Sequence, residues 1–191
     1  MQEPSIHNVI HLLKEHFEYP YKGSGALRLH VIAIHSLCTT LLPGTKRYAD
    51  KRIAPLDHSN MPSDIVILDK AGKCFEVFEV KYTKPITVNA VNSAYRKIKN
   101  MSIVRYTILT TCKPECINAE KINSRIELIA QKYSCEIFID NTYSLIAHWL
   151  RAVSDSRLFL DKYAETLCSE LDNGNITSEH LQVWAELRKT L

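Results

Sequence analysis

The stretch "DIVILDKAGKCFEVFEVKY", Asp64 to Tyr82, decides the fold. Two runs rich in Val, Ile and Phe flank a Lys70-Ala71-Gly72-Lys73 break, the pattern of two short strands joined by a tight turn. The first run opens on Asp64, and the second carries Glu79 and Lys81 among Phe, Val and Tyr. Successive strand side chains alternate between faces, so Glu79 and Lys81 share one face, with Val77 and Phe75 behind them. A turn closing over Ala71-Gly72, or over residues 70–73, pairs Ile65 with Phe78 and sets Asp64 across from Glu79. A three-residue loop would shift the register by one and part the two acids.

Directly opposed residues hold their Cβ atoms about 4.5–5.5 Å apart. Two carboxylates at that distance repel unless a cation or a proton lies between them. Oxygen ligands bind Mg²⁺ at about 2.0–2.1 Å, and one or two carboxylates suffice when water and substrate phosphates complete the shell. Lys81, on the same face, is placed to hold a water and to neutralise charge on a phosphate in the transition state. Acid, acid and lysine around a divalent cation suit metal-assisted hydrolysis of a phosphodiester. The plainer alternative is a solvated sheet face, with Asp64 at a strand start and a cross-strand ion pair. Further strands expected at 105–111 and 135–140 would bury the 75–83 strand centrally, where Glu and Lys are costly unless they face a cleft.

Outward from the hairpin, helical periodicity marks residues 5–18 after a Ser5 cap, and 26–42 up to Pro43-Gly44. Helices are also expected over 88–101, 118–133 and 143–154, with two more in 157–191. Residues 43–63 and 111–118 are the longest irregular candidates. The order α-α-β-β-α-β-α-β-α with a helical tail predicts an α/β (α+β) chain. Its central mixed β-sheet is flanked by helices on both faces and followed by a C-terminal helical tail. The expected organisation is a core domain over 1–156 with a helical extension over 157–191. In that extension Phe159, Leu160, Tyr163, Leu167 and Leu171 read as packing residues, with a dimer contact as the second reading.

The composition is that of an ordinary globular protein: 191 residues, 46% hydrophobic and 24% charged, with 5 Gly and 7 Pro. The polar start, Met1-Gln2-Glu3-Pro4-Ser5, is unlike a secretory signal, and no run approaches the roughly 20 apolar residues of a membrane span, so a cytoplasmic location is expected. Among six cysteines only Cys112 and Cys116 are close, without a CxxC pair, which speaks against structural zinc. A net charge of +3 permits a nucleic-acid partner without demanding one. Lys46, Arg47, Lys51 and Arg52, with Tyr48 between them, form a basic stretch upstream of Asp64; Lys84, Arg96, Lys97 and Lys99 form another, beside Tyr95. Both read as phosphate contacts or as solvated charge. Arg28 at a helix start reads either as a phosphate contact or as a snorkelling side chain. His35 and His148 read as polar members of packed helices, and Asp57-His58 precedes the hairpin without a telling spacing.

Pro62-Ser63-Asp64, fourteen intervening residues, then Glu79-Val80-Lys81 resembles the PD-(D/E)xK nuclease motif. That superfamily includes type II restriction endonucleases and Holliday-junction resolvases, and its restriction-endonuclease-like core has a similar order of elements. Beyond the motif, "GSGALRLHVIAIHSL", "FEVFEVKYTKPIT" and "SAYRKIK…VRYTILTT" look like restriction-type endonucleases associated with DNA cytosine methyltransferases, over residues 22–150. This sequence has Ser63 rather than Pro directly before Asp64. The resemblance implies Asp64, Glu79 and the Val80 backbone carbonyl as metal ligands, joined by an acid of the first helix, Glu18 or Glu15. It implies Lys81 as the residue that orients or activates water. Mg²⁺, for which Mn²⁺ can substitute, would be the cofactor, double-stranded DNA the substrate, and a homodimer the acting form, functionally paired with a DNA methyltransferase. Two alternatives stay open: a structure-specific or repair nuclease on the same fold, and a non-catalytic DNA-binding or assembly module.

Overall fold

The computed structural model describes residues 3–56, 63–112 and 119–191. Asp57, His58, Pro62 and Cys116 lie outside the described residues. The chain divides into a sheet unit, Lys46–Thr142, and a helical unit formed by Met1–Thr45 with Tyr143–Leu191. The boundary expected at 156/157 therefore falls inside the helical unit, and residues 157–191 group with the two N-terminal helices.

The sheet unit carries a five-stranded mixed sheet in the order β1-β2-β3-β4-β5. Its strands are β1 (Arg52–Ile53), β2 (Ile65–Leu68), β3 (Cys74–Lys81), β4 (Arg105–Thr110) and β5 (Glu136–Asn141). β2 pairs antiparallel with both β1 and β3, whereas β3, β4 and β5 are parallel. The β1 strand was not legible in the sequence, since two residues carry no periodicity. Helices α3 (Val88–Asn100) and α4 (Ala119–Tyr133) are the two parallel crossovers. Such crossovers share one hand, so consecutive ones in a sequentially ordered sheet fall on the same side. Accordingly Val91, Ala94 and Ile98 of α3 and Ile122 and Ile129 of α4 join one core cluster with Val66, Val77, Tyr106 and Ile108. Within this unit both crossover helices pack on one face of the sheet. Each of the Val and Ile side chains in this cluster contributes about 1.5–3 kcal/mol by leaving water.

The helical unit contains α1 (Ile6–Glu18), α2 (Arg28–Leu41), α6 (Ser156–Asp172), α7 (Ser178–Arg188) and nearly all of α5 (Thr142–Leu150). Ser5 caps α1 by accepting from the Asn8 N–H at 3.2 Å. Phe159, Leu160, Tyr163 and Leu167 of α6 are fully buried, as are Leu29, Ile32, Ile34 and Leu37 of α2. Arg28 is spent on structure here: its Nε lies 2.7 Å from the buried carboxylate of Glu170. No helix among the described residues is long and apolar enough to cross a membrane.

Candidate active site

The register that brings the acids together is reached by an unexpected route. Asp69 accepts from the Gly72 N–H at 3.0 Å, its N–H donates to the Lys73 carbonyl at 2.9 Å, and Gly72 adopts φ +77°. The loop is therefore the three-residue Lys70-Ala71-Gly72 turn, with glycine where the left-handed backbone favours it. That turn pairs Leu68 with Cys74, one residue out of step with the pairing that opposes Asp64 and Glu79. A bulge then leaves Phe75 without a partner, and Ile67 pairs with Glu76, Val66 with Val77 and Ile65 with Phe78. One extra residue cancels the odd loop. Phe75 consequently does not share the alternation of Val77, Glu79 and Lys81, as the sequence had suggested.

Continuing this ladder, Asp64 stands just before β2 and across from Glu79. The Asp64 carboxylate extends the ladder by accepting from the Val80 N–H at 2.8 Å. An antiparallel pattern turns the N–H and C=O of one residue toward the same neighbour, so the Val80 carbonyl also belongs to the Asp64 side. Asp64 is half-buried, and Glu79 retains 5% exposure.

Three donors converge on Glu79. Lys81, two residues along the strand, pairs with Oε1. The Tyr106 hydroxyl donates to Oε2, and Lys97 of α3 approaches the same oxygen at 3.0 Å. Tyr106 comes from β4, where the parallel register sets Val77 beside Tyr106 and Glu79 beside Ile108, making Tyr106 a diagonal neighbour on the same face. Burial works against ionisation of Glu79, yet the hydrogen bonds from Lys81, Tyr106 and Lys97 together hold its carboxyl below the ordinary glutamate range. Burial and the neighbouring Glu79 carboxylate both push the Tyr106 phenol upward, so it stays a donor. The result is an ionised acid on a central strand, with its two lysines about one-third exposed at 33% and 31%.

Glu15 and Glu18 are exposed on α1 of the helical unit, Glu15 lying 3.7 Å from His11. The basic stretch is partly tied to β3: the Tyr48 hydroxyl donates to buried Glu76 at 2.8 Å, and Lys51 sits 4.8 Å above the Phe75 ring. Burial pushes the Glu76 carboxyl up despite that bond. Lys46, Arg47, Arg52, Lys84 and Arg96 are exposed. Tyr106 escaped sequence reading, because no local pattern reports which residue a parallel strand places beside Glu79. Lys97 reads from sequence as a phosphate contact or as solvated charge, and its contact with Glu79 depends on the α3 crossover.

The donor chemistry suits a hard divalent cation. Asp64, Glu79 and the Val80 carbonyl supply only oxygen, and Glu79 is held ionised. Among the described residues no group of three or more His, Cys, Asp and Glu gathers in metal-ligating fashion, so the protein's share of any such shell would be two carboxylates and main chain. No protein-family model matches this sequence, and no curated protein matches it significantly.

Proposed function

We propose that the chain is a Mg²⁺-dependent endonuclease of the PD-(D/E)xK type, hydrolysing phosphodiester bonds of double-stranded DNA in the manner of a restriction enzyme. The observation that carries this reading is the register: Ile65 pairs with Phe78 and the Asp64 carboxylate accepts from the Val80 N–H, so the continued ladder sets Asp64 across from Glu79, with Lys81 on the same strand face. Asp64 and Glu79 would hold the cation, with the Val80 carbonyl beside them. A cation bound there supplies Lewis-acid stabilisation of charge and a water of lowered pKa. Lys81, freed from Glu79, orients the attacking water and balances the charge that develops on the phosphate. Lys46, Arg47, Arg52, Lys84 and Arg96 grip the backbone by charge alone, which makes binding sensitive to salt. A homodimer would supply the second active site that a double-strand cut requires, and pairing with a methyltransferase would protect host DNA.

A second reading, a DNA-binding module that does not cut, is favoured by one feature. Both oxygens of Glu79 are already satisfied by Lys81, Lys97 and Tyr106, a self-neutralised cluster that could persist without a cation. Incubation with long unmodified plasmid DNA and Mg²⁺ separates the two. Discrete fragments from the natural chain, and none from Asp64→Ala, Glu79→Gln or Lys81→Ala, support the nuclease. Equal cutting by all four proteins would sink it.

A further inference from the structure

Lys81 meets Glu79 through strand alternation and Tyr106 meets it through strand pairing, but Lys97 arrives from a helix. Its ammonium is 3.0 Å from Oε2, which Tyr106 also occupies, and 5.9 Å from the centre of the Tyr106 ring. Along the same face of α3, at spacings of three and four, Ser93, Arg96, Asn100 and Met101 line with Lys97 an open groove of about 390 Å³. The helix sequence VNAVNSAYRKIKN contains no acid. A groove with two cations, a hydroxyl and an amide, on a helix free of carboxylates, suits an anion with several acceptor oxygens.

Resting on the nuclease reading, we propose that Lys97 is a substrate-positioning residue that exchanges Glu79 for a DNA phosphate seated in the α3 groove, adjoining the phosphate that is cut. Oε2 cannot serve the Tyr106 hydroxyl, the Lys97 ammonium and a divalent cation together. Entry of the cation repels Lys97, and capture of Lys97 by a phosphate opens Glu79 to the cation. Each ligand thereby strengthens the other, and the coupling is reciprocal. Lys97 thus reports occupancy of the strand groove to the carboxylate, so the cation is held most firmly when DNA is in place.

The test uses the full chain and three variants, Lys97→Met, Lys97→Arg and Asp64→Asn, each with a melting curve. Mn²⁺ alone is titrated calorimetrically. Binding of a short labelled duplex is followed by anisotropy with EDTA and with Ca²⁺, over a range of salt. In the natural protein, duplex affinity should rise severalfold on adding Ca²⁺. Lys97→Met should bind Mn²⁺ about five- to tenfold tighter, lose that Ca²⁺ enhancement, and lower the salt slope by about one. Lys97→Arg, which keeps the cation, should retain duplex affinity. Unchanged Mn²⁺ affinity in Lys97→Met overturns the exchange, even if duplex binding weakens, because Lys97 is then a plain phosphate contact. Absence in the natural protein of Mn²⁺ binding that Asp64→Asn removes overturns the nuclease reading itself, and the exchange with it.

Discussion

Glu79 of the sheet unit and His16 of the helical unit are both buried titratable groups, and they are accommodated in opposite ways. In the sheet unit Glu79 is kept charged, ringed by Lys81, Lys97 and Tyr106. In the helical unit His16 is wholly buried, with Nε2 2.8 Å from the His180 carbonyl and Nδ1 2.9 Å from the Tyr163 hydroxyl. A carbonyl only accepts, so Nε2 carries the proton and Nδ1 accepts from tyrosine: a neutral ring with both nitrogens satisfied. Burial lowers its pKa to about 4, against the pull of the carbonyl bond. His30, packed on Phe17 with ring centres 4.1 Å apart, falls to about 3, through burial first and then through repulsion from His16 once that ring is protonated. Burial of an ionisable group therefore does not mark a site. What sets Glu79 apart is that three donors converge on one buried charge, two of them lysines about one-third exposed.

The comparison fails outright if the Glu79 cluster proves to be as inert as the histidines. Asp64→Ala, Glu79→Gln and Lys81→Ala should each lower cleavage of plasmid DNA about 10³-fold or more while shifting the melting temperature by only a few degrees. Near-natural rates in all three would place Glu79 beside His16 as mere packing.

Acid should part the two units next. A histidine whose folded pKa lies below its free value near 6.5 favours the unfolded chain once protons bind. Its full contribution is thus present above about pH 6.5 and is lost as pH falls toward 4. At pH 4 the loss is on the order of 3 kcal/mol for each of His16 and His30. Glu79, whose folded pKa is depressed, keeps its contribution until pH falls below the ordinary glutamate range and into its own lower one. Glu76, raised by burial, gains stability over that fall and offsets part of the loss. Hydrogen exchange from pH 7 to 4 should therefore show α1, α2 and α6 opening before β3 and β4, and His30→Phe should narrow the gap. Simultaneous opening would remove the distinction.

A smaller effect tests whether charge in the helical unit is structural. Arg28→Met leaves Glu170 at 2% exposure without its cation, and should cost about 3 kcal/mol in chemical denaturation while leaving duplex affinity unchanged. Weakened DNA binding at unchanged stability would instead restore Arg28 as a phosphate contact. Smallest is Tyr106→Phe, which removes one of three donors to Glu79. It should raise the Glu79 pKa in a carboxyl-resolved NMR titration and cost about 1 kcal/mol.

Much of this arrangement is local and could be read directly. Strand alternation places Glu79 and Lys81 on one face; period 3.6 marks α1 to α4; Ser5 announces the first cap. These follow from covalent geometry and patterning, which act over a few residues. The Asp64–Glu79 pairing was legible only conditionally, because it depended on loop length. The loop is odd, and the Phe75 bulge restores the step. Nothing in "KCFEV" announces that bulge, since an extra residue is decided by what the neighbouring strand and core accept.

The sequence by itself determined which residues carry charge along a buried strand, and the faces on which they stand. Tertiary structure alone decided which partners reach them, Tyr106 through a parallel register and Lys97 through a crossover helix, just as it alone brought Arg28 to Glu170. Contacts between residues distant in sequence depend on how whole elements pack, and no short-range pattern encodes that choice.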